Sequence, residues 1–259
     1  MKKMNKNWIL KLQHFCERYN LEFQNLAEIL NDPKVIPMIR GKSFEFSVKN
    51  RLEKVLDQHL FEIIKPYMNV QIGSYDIDVQ IKNRSTGKTY VVECKLAAKR
   101  SFVFDEHKPF LKVKCMKSRT LGTRAAEQKS KVSGKTIEEL MIHNDQYLPG
   151  NFDLIITSIA NSFYDTNDEG LFYWNPSQND FDFLGKLEII TQQQAFDKMY
   201  VAKSIDLVAN EKNSVICTRR QCHNKNCGFI PNYPIIKFDS DGYSQKPWVP
   251  IEKIATLLD

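Results

Sequence analysis

The chain has 259 residues, 42% of them apolar and 26% charged, which is enough to bury the core of one large domain and is the composition of an ordinary globular protein. No apolar stretch approaches the roughly 18–20 residues that span a bilayer, and the basic start MKKMNKNWILKLQHF offers only Trp8-Ile9-Leu10 before Lys11, too short for a signal-peptide core, so a cytoplasmic protein with no membrane partner is expected. The formal net charge of +6 is unevenly spread: residues 108–135 hold nine Lys or Arg against one acid, Glu127, which leaves the remainder slightly acidic.

Residues 7–31 carry apolar positions at helical spacing (Trp8, Leu12, Phe15, Cys16, then Phe23, Leu26, Leu30) broken at Tyr19-Asn20, which predicts two short helices. NDPKVIP, at 31–37, is a break with two prolines. A further helix is predicted over 43–58, with Ser43 as N-cap, Gly41 just outside it, and Phe44, Val48, Leu52 and Val55 on one face. FEIIKPYMNVQIG (61–73) is strand-like and punctuated by Pro66. YDIDVQI (75–81) alternates, NRSTGK (83–88) has turn chemistry, and TYVVECKL (89–96) follows, a hairpin signal. IEELMIHN reads as a helix, FDLIITSIA (152–160) as a central strand, and GLFYW (170–174) and FDFLGKLEII (181–190) as further strands. The aromatic run at 172–174 fits a core strand better than a base-stacking platform.

The hairpin raises the chemical question. With Lys82 and Thr89 flanking the loop as a pair, Gln80 faces Val91, Asp78 faces Glu93 and Asp76 faces Lys95. Side chains alternate along a strand, so Glu93 and Lys95 share a face while Val92 and Cys94 take the other. Direct cross-strand neighbours have Cβ atoms about 4.5–5.5 Å apart. Two carboxylates so placed repel, and a divalent cation between them reverses the sign; Mg²⁺ takes one or two carboxylates plus waters and phosphate oxygens. The plain alternative is a solvated strand face with cross-strand salt bridges, as half-exposed antiparallel sheets often have. The acid-x-Lys spacing itself recurs at Asp32, Glu106 and Glu127 and discriminates nothing.

With its preceding helix, the stretch YDIDVQI…YVVECKL resembles the PD-(D/E)XK nuclease superfamily, the fold of most type II restriction endonucleases and many DNA-repair nucleases. The resemblance covers about residues 41–100, with element order continuing to 160. It implies an α/β fold, a mixed central β-sheet flanked by helices, with a catalytic core at about 41–160, an N-terminal helical addition (1–40) and a C-terminal addition (161–259) within one nuclease domain. It implies Asp78 as the catalytic Asp (Asp76 competing for that place), Glu93 as the acidic position and Lys95 as the lysine. Glu45 would be the helical acid, ahead of Glu53, and Asp78, Glu93 and the carbonyl of Cys94 would hold Mg²⁺. On this reading Lys95, its pKa lowered by burial and the metal, orients or deprotonates a water or stabilises developing charge. A type II restriction enzyme is implied, cutting double-stranded DNA at specific sites to 5′-phosphate and 3′-hydroxyl ends, with a homodimer if the target is palindromic. A repair nuclease of the same superfamily and a non-catalytic nucleic-acid-binding protein are the alternatives.

The basic stretch fits a polyanionic partner. Within it Lys117, Arg119, Arg124, Gln128, Lys129 and Lys131 are the candidate DNA contacts, Arg suited to guanine and Gln to adenine; a solvated helix face is the alternative for each. The six cysteines (16, 94, 115, 217, 222, 227) form no regular framework and read as reduced thiols. Cys217-x4-Cys222-His223-x3-Cys227 has ligand types for zinc, but adjacent Cys222 and His223 can hardly reach one ion, so loop thiols or a DNA-contacting loop are expected there.

Overall fold

The structure, a computed structural model, describes residues 7–66, 77–105 and 108–258. It opens with α1 (Asn7–Arg18) and α2 (Leu26–Asn31), the two short helices the spacing predicts, parted where Asn20 takes a φ of 53°. α3 (Ile36–Val55) begins well before Ser43. Pro37 sits in its first turn, where a missing N–H has no helical partner to lose, so the proline-rich break ends sooner than expected and Gly41 and Ser43 lie inside the helix. Its other end stops at Val55, short of 58. The face carrying Phe44, Val48 and Leu52 is buried as the spacing predicts.

β1 (Phe61–Ile64), β2 (Val79–Asn83) and β3 (Thr89–Cys94) follow as an antiparallel set. Asn83 Oδ1 accepts from the N–H groups of Ser85 and Thr86 at 3.0 and 3.1 Å and Gly87 takes a φ of 71°, a conformation that suits glycine. That turn sets the register expected: Lys82 opposite Thr89, Gln80 opposite Val91, Val79 opposite Val92. The strand-like 67–73 and Asp76 lie outside the described residues. β4 (Phe110–Lys112), α4 (Thr123–Ser133) and α5 (Ile137–Ile142) make the crossover to β5 (Leu154–Ser158), which runs parallel to β3 with Ile155 beside Glu93.

β6 (Tyr164–Thr166) pairs with β7 (Phe172–Trp174), whose Phe172 and Trp174 lean on the core. The segment predicted as a strand at 181–190 is instead largely α6 (Gln178–Lys186). Ser177 caps it, with Asp180 bonding back in a capping box, and the helix buries the adjacent pair Phe183 and Leu184; the alternation of Phe and Asp mimicked a strand while the cap decided the outcome. α7 (Gln192–Asp197), β8 (Met199–Lys203), β9 (Ile235–Lys237) and β10 (Val249–Pro250) complete the set before a final 3₁₀ turn, Ile251–Leu257.

Among the described residues the main sheet has six strands in the order β1-β2-β3-β5-β8-β10, mixed because β3 and β5 alone of these are parallel. This is an α/β protein. One face, with Val79, Ile81, Tyr90, Val92, Cys94 and Ile156, packs on α3. The other, with Ile155, Tyr200 and Ala202, packs on Phe152, Phe183, Phe238 and Trp248. β5 is buried along its whole length, which explains why Leu154, Ile155 and Ile156 are apolar on both of its faces. Among the described residues no helix is long and apolar enough to cross a membrane.

Candidate carboxylate and lysine site

Asp78 stands one position before β2, so the register carries it to the residue opposite Glu93. Both side chains are buried, at 7% and 8% exposure. Asp78 Oδ2 accepts from the backbone N–H of Cys94 at 2.8 Å. Glu93 Oε1 accepts from the Tyr147 hydroxyl at 2.7 Å and pairs with Lys95 Nζ at 2.7 Å. The shared face of Glu93 and Lys95 follows from strand alternation.

Glu45, buried on α3, brings a third carboxylate. It pairs with Lys42 at 2.9 Å and with Lys65, just past β1, whose Nζ also donates to the Asp78 carbonyl oxygen at 3.3 Å. Glu53, the other helical candidate, pairs with Lys49 one turn earlier on the same helix. Cys94 reaches the site through its backbone; its side chain lies in the α3-facing core, where burial pushes the thiol pKa up.

The electrostatics separate the three groups at the centre. Burial, then the charges of Glu93 and Glu45, push the Asp78 carboxyl up to about 8 against the opposing Cys94 N–H and Lys95. For Lys95 burial works against the charge, but Glu93 and Tyr147 outweigh it and hold the ammonium above its usual range. Burial is the largest single influence on the ammonium, and only Glu93 at 2.7 Å, Tyr147 and Asp78 taken together outweigh it, the reverse of the depressed lysine expected beside a bound metal. Burial and the Glu93 charge raise the Tyr147 phenol, so it remains a donor.

The basic segment meets this site at one edge. Lys117 Nζ lies 5.6 Å from the centre of the Tyr147 ring, and Lys95 Nζ lies 5.5 Å from it. Burial and then neighbouring Lys129 lower Lys117 to about 7. Arg124, Gln128 and Lys131 are exposed at helical spacing along α4, whose Ala126 is buried on the opposite side; Arg119 is exposed in the loop before it. Of the six predicted DNA contacts, then, Lys117 lies beside Tyr147 with Lys129 next to it, and the other four face solvent.

Tyr147 and Lys65 were not singled out from sequence. Tyr147 is 54 residues from Glu93 and follows no motif. Lys65 did carry a signal, as a lysine directly after the apolar strand FEII. The cysteines are free thiols, as expected, but those of the carboxy-terminal loop gather at one point. Cys217, Cys222 and Cys227 converge with His143, all four ligand atoms lying within 4.8 Å of one another, and the adjacent His223 takes no part. The chain matches no protein-family model, no curated protein and no solved structure.

Proposed function

We propose that the chain is a Mg²⁺-dependent nuclease of the PD-(D/E)XK type that cuts double-stranded DNA at specific sites, as type II restriction endonucleases do, in the cytoplasm. The observation that carries this reading is the burial of Asp78 and Glu93 side by side at the end of the hairpin, with Lys95 paired to Glu93. Element order supports it: a helix bearing Glu45, three antiparallel strands, a basic helical crossover, and a strand parallel to the third, the arrangement expected of a restriction-endonuclease-like core.

The donor set fits the cation. Asp78, Glu93 and the Cys94 carbonyl are hard oxygen ligands, which suit Mg²⁺, and the mutual repulsion that raises Asp78 is what a divalent charge relieves. When bound, the ion polarises the scissile phosphate and acidifies a water. Lys95, paired to Glu93, would orient or deprotonate that water or stabilise charge on the phosphate. Tyr147 and Lys95 both engage Oε1 of Glu93, which fixes the orientation of the carboxylate that would hold the ion together with Asp78. Glu45, tied to Lys65 and Lys42, adds negative potential that Lys65 moderates. The exposed face of α4 supplies phosphate and base contacts, and the products are 5′-phosphate and 3′-hydroxyl ends. A palindromic target implies a homodimer, since site symmetry mirrors protein symmetry.

The test is incubation with a phage genome and Mg²⁺, followed by sequencing of the fragment ends, using wild type, Glu93→Ala and Lys95→Ala. Discrete ends within one short sequence, lost in both variants while DNA binding survives, are expected. Cleavage that survives both changes removes the site assignment, and cleavage confined to branched DNA assigns the same chemistry to a repair enzyme.

A further inference from the structure

We propose that His143, Cys217, Cys222 and Cys227 bind one zinc ion in a closed structural site that holds the carboxy-terminal loop against α4 and α5. The four ligand atoms lie within 4.8 Å of one another. Three thiolates and an imidazole are the soft, borderline donors that zinc takes in tetrahedral structural sites, and four protein donors leave no open position for chemistry.

The histidine is oriented as a ligand. Gln146 Nε2 donates to the Ile230 carbonyl at 3.0 Å, and a carbonyl can only accept, so the Gln146 amide oxygen is the group facing His143. That oxygen is 2.7 Å from His143 Nδ1, which therefore carries the proton and leaves the Nε2 lone pair for the metal. The ring stacks on Phe229 with centroids 4.1 Å apart and is 2% exposed, so it has no freedom to turn away.

The loop needs such a fastening. Between the short helix ending at Leu207 and β9, residues 208–234 contain only isolated bridges, and structureless segments of this length inside a packed protein are uncommon without a function or a staple. The local core beneath them is small: Ala126, Leu140, Ala209, Cys227 and Phe229. Two tight turns return the chain to the same point, with the Cys222 N–H on the Arg219 carbonyl at 3.0 Å and the Asn226 N–H on Asn224 Oδ1 at 2.9 Å. Lys135 Nζ then donates to the Cys227 carbonyl at 2.7 Å, tying the loop to the end of the α4 segment.

This inference stands apart from the nuclease reading, and its test needs no DNA. Protein purified under reducing conditions is assayed for metal by elemental analysis, and for release of metal on titration of the thiols with an organomercurial. One zinc per chain is expected, together with a thiolate-to-cobalt charge-transfer band after exchange with Co²⁺. Cys222→Ser, at the half-buried ligand, lowers retained zinc at least tenfold on dialysis, Gln146→Ala weakens affinity roughly 10–100-fold, and Cys16→Ala keeps one equivalent. Stripping zinc from the wild type exposes 208–234 to limited proteolysis. Reduced protein with substoichiometric metal and no cobalt–thiolate band, or a disulfide between two of the three cysteines in its place, overturns the proposal.

Discussion

Replacing Asp78 by Asn tests the carboxylate cluster without reference to any substrate. The carboxyl ionises at about 8 in the folded chain against 3.8 for an ordinary aspartate. Between those two pH values the native state holds a proton that the unfolded state has released, so stability falls as pH rises from about 4 to about 8 and levels off above that. At about 1.4 kcal/mol for each pH unit, the full span is on the order of 6 kcal/mol, set first by burial and then by the charges of Glu93 and Glu45. Asn keeps an oxygen to accept the Cys94 N–H, bonded to Asp78 at 2.8 Å, and cannot ionise. Denaturant unfolding of both proteins at pH 6, 7, 8 and 9 is therefore expected to show a downward slope in the wild type and a nearly flat line in the variant. By pH 9 the variant is the more stable by a few kcal/mol. Millimolar Mg²⁺ should restore stability to the wild type at high pH and do little for the variant, since it binds the ionised native form. Parallel pH profiles, with or without the ion, would refute both the burial of a repelled carboxylate and its role as a ligand.

Tyr147→Phe removes the hydroxyl that donates to Glu93 at 2.7 Å and should cost about 1.5–3 kcal/mol in denaturant unfolding, the usual worth of a bond to a charged group. Because Lys117 loses its proton at about 7, affinity for a short DNA duplex measured by anisotropy should weaken between pH 6 and 8, with the salt dependence losing about one unit of slope over that range. Lys117→Arg, which stays charged, should flatten that profile. Leu52→Ala, in the fully buried α3 face, should destabilise by about 2–5 kcal/mol without altering the pH slope that Asp78 produces.

The parts of this fold that were legible from sequence are those set by local geometry. The loop NRSTGK admits a turn that pairs Lys82 with Thr89, and the period of two then carries Asp78 to Glu93 with no further information. The stripe Phe44, Val48, Leu52 announces the buried face of α3 for the same reason. Errors arose where two local signals compete. In FDFLGKLEII the alternation suggested a strand, while the Ser177 cap upstream committed the chain to a helix; at Pro37 a proline read as a breaker serves as a helix start. Tyr147 and His143 meet their partners across chain separations that periodicity cannot report, and the lysine after FEII does not by itself say that Lys65 reaches Glu45. The sign of the Lys95 shift is illegible as well, since it depends on the balance between desolvation and the combined pull of Glu93, Tyr147 and Asp78.

His143 to Tyr147, the sequence His-Asn-Asp-Gln-Tyr, reads as the plain turn after a short helix, yet its side chains serve both candidate sites. His143 faces the three cysteines and Gln146 orients it. Asp145 pairs with Arg219 of the carboxy-terminal loop and accepts from Asn232 Nδ2 at 3.0 Å, while its carbonyl accepts the Lys117 N–H at 2.9 Å. Tyr147 then donates to Glu93. The same short backbone thus joins the cysteine loop, the basic segment and the carboxylate hairpin. Tyr147 is held by its backbone bridge to Ile230 and its ring contact with Phe152, and a tetrahedral ion at His143 would add a further fixed point four residues away. The orientation of Glu93 is in this sense set from two directions: by Lys95 through the strand, and by the carboxy-terminal loop through Tyr147.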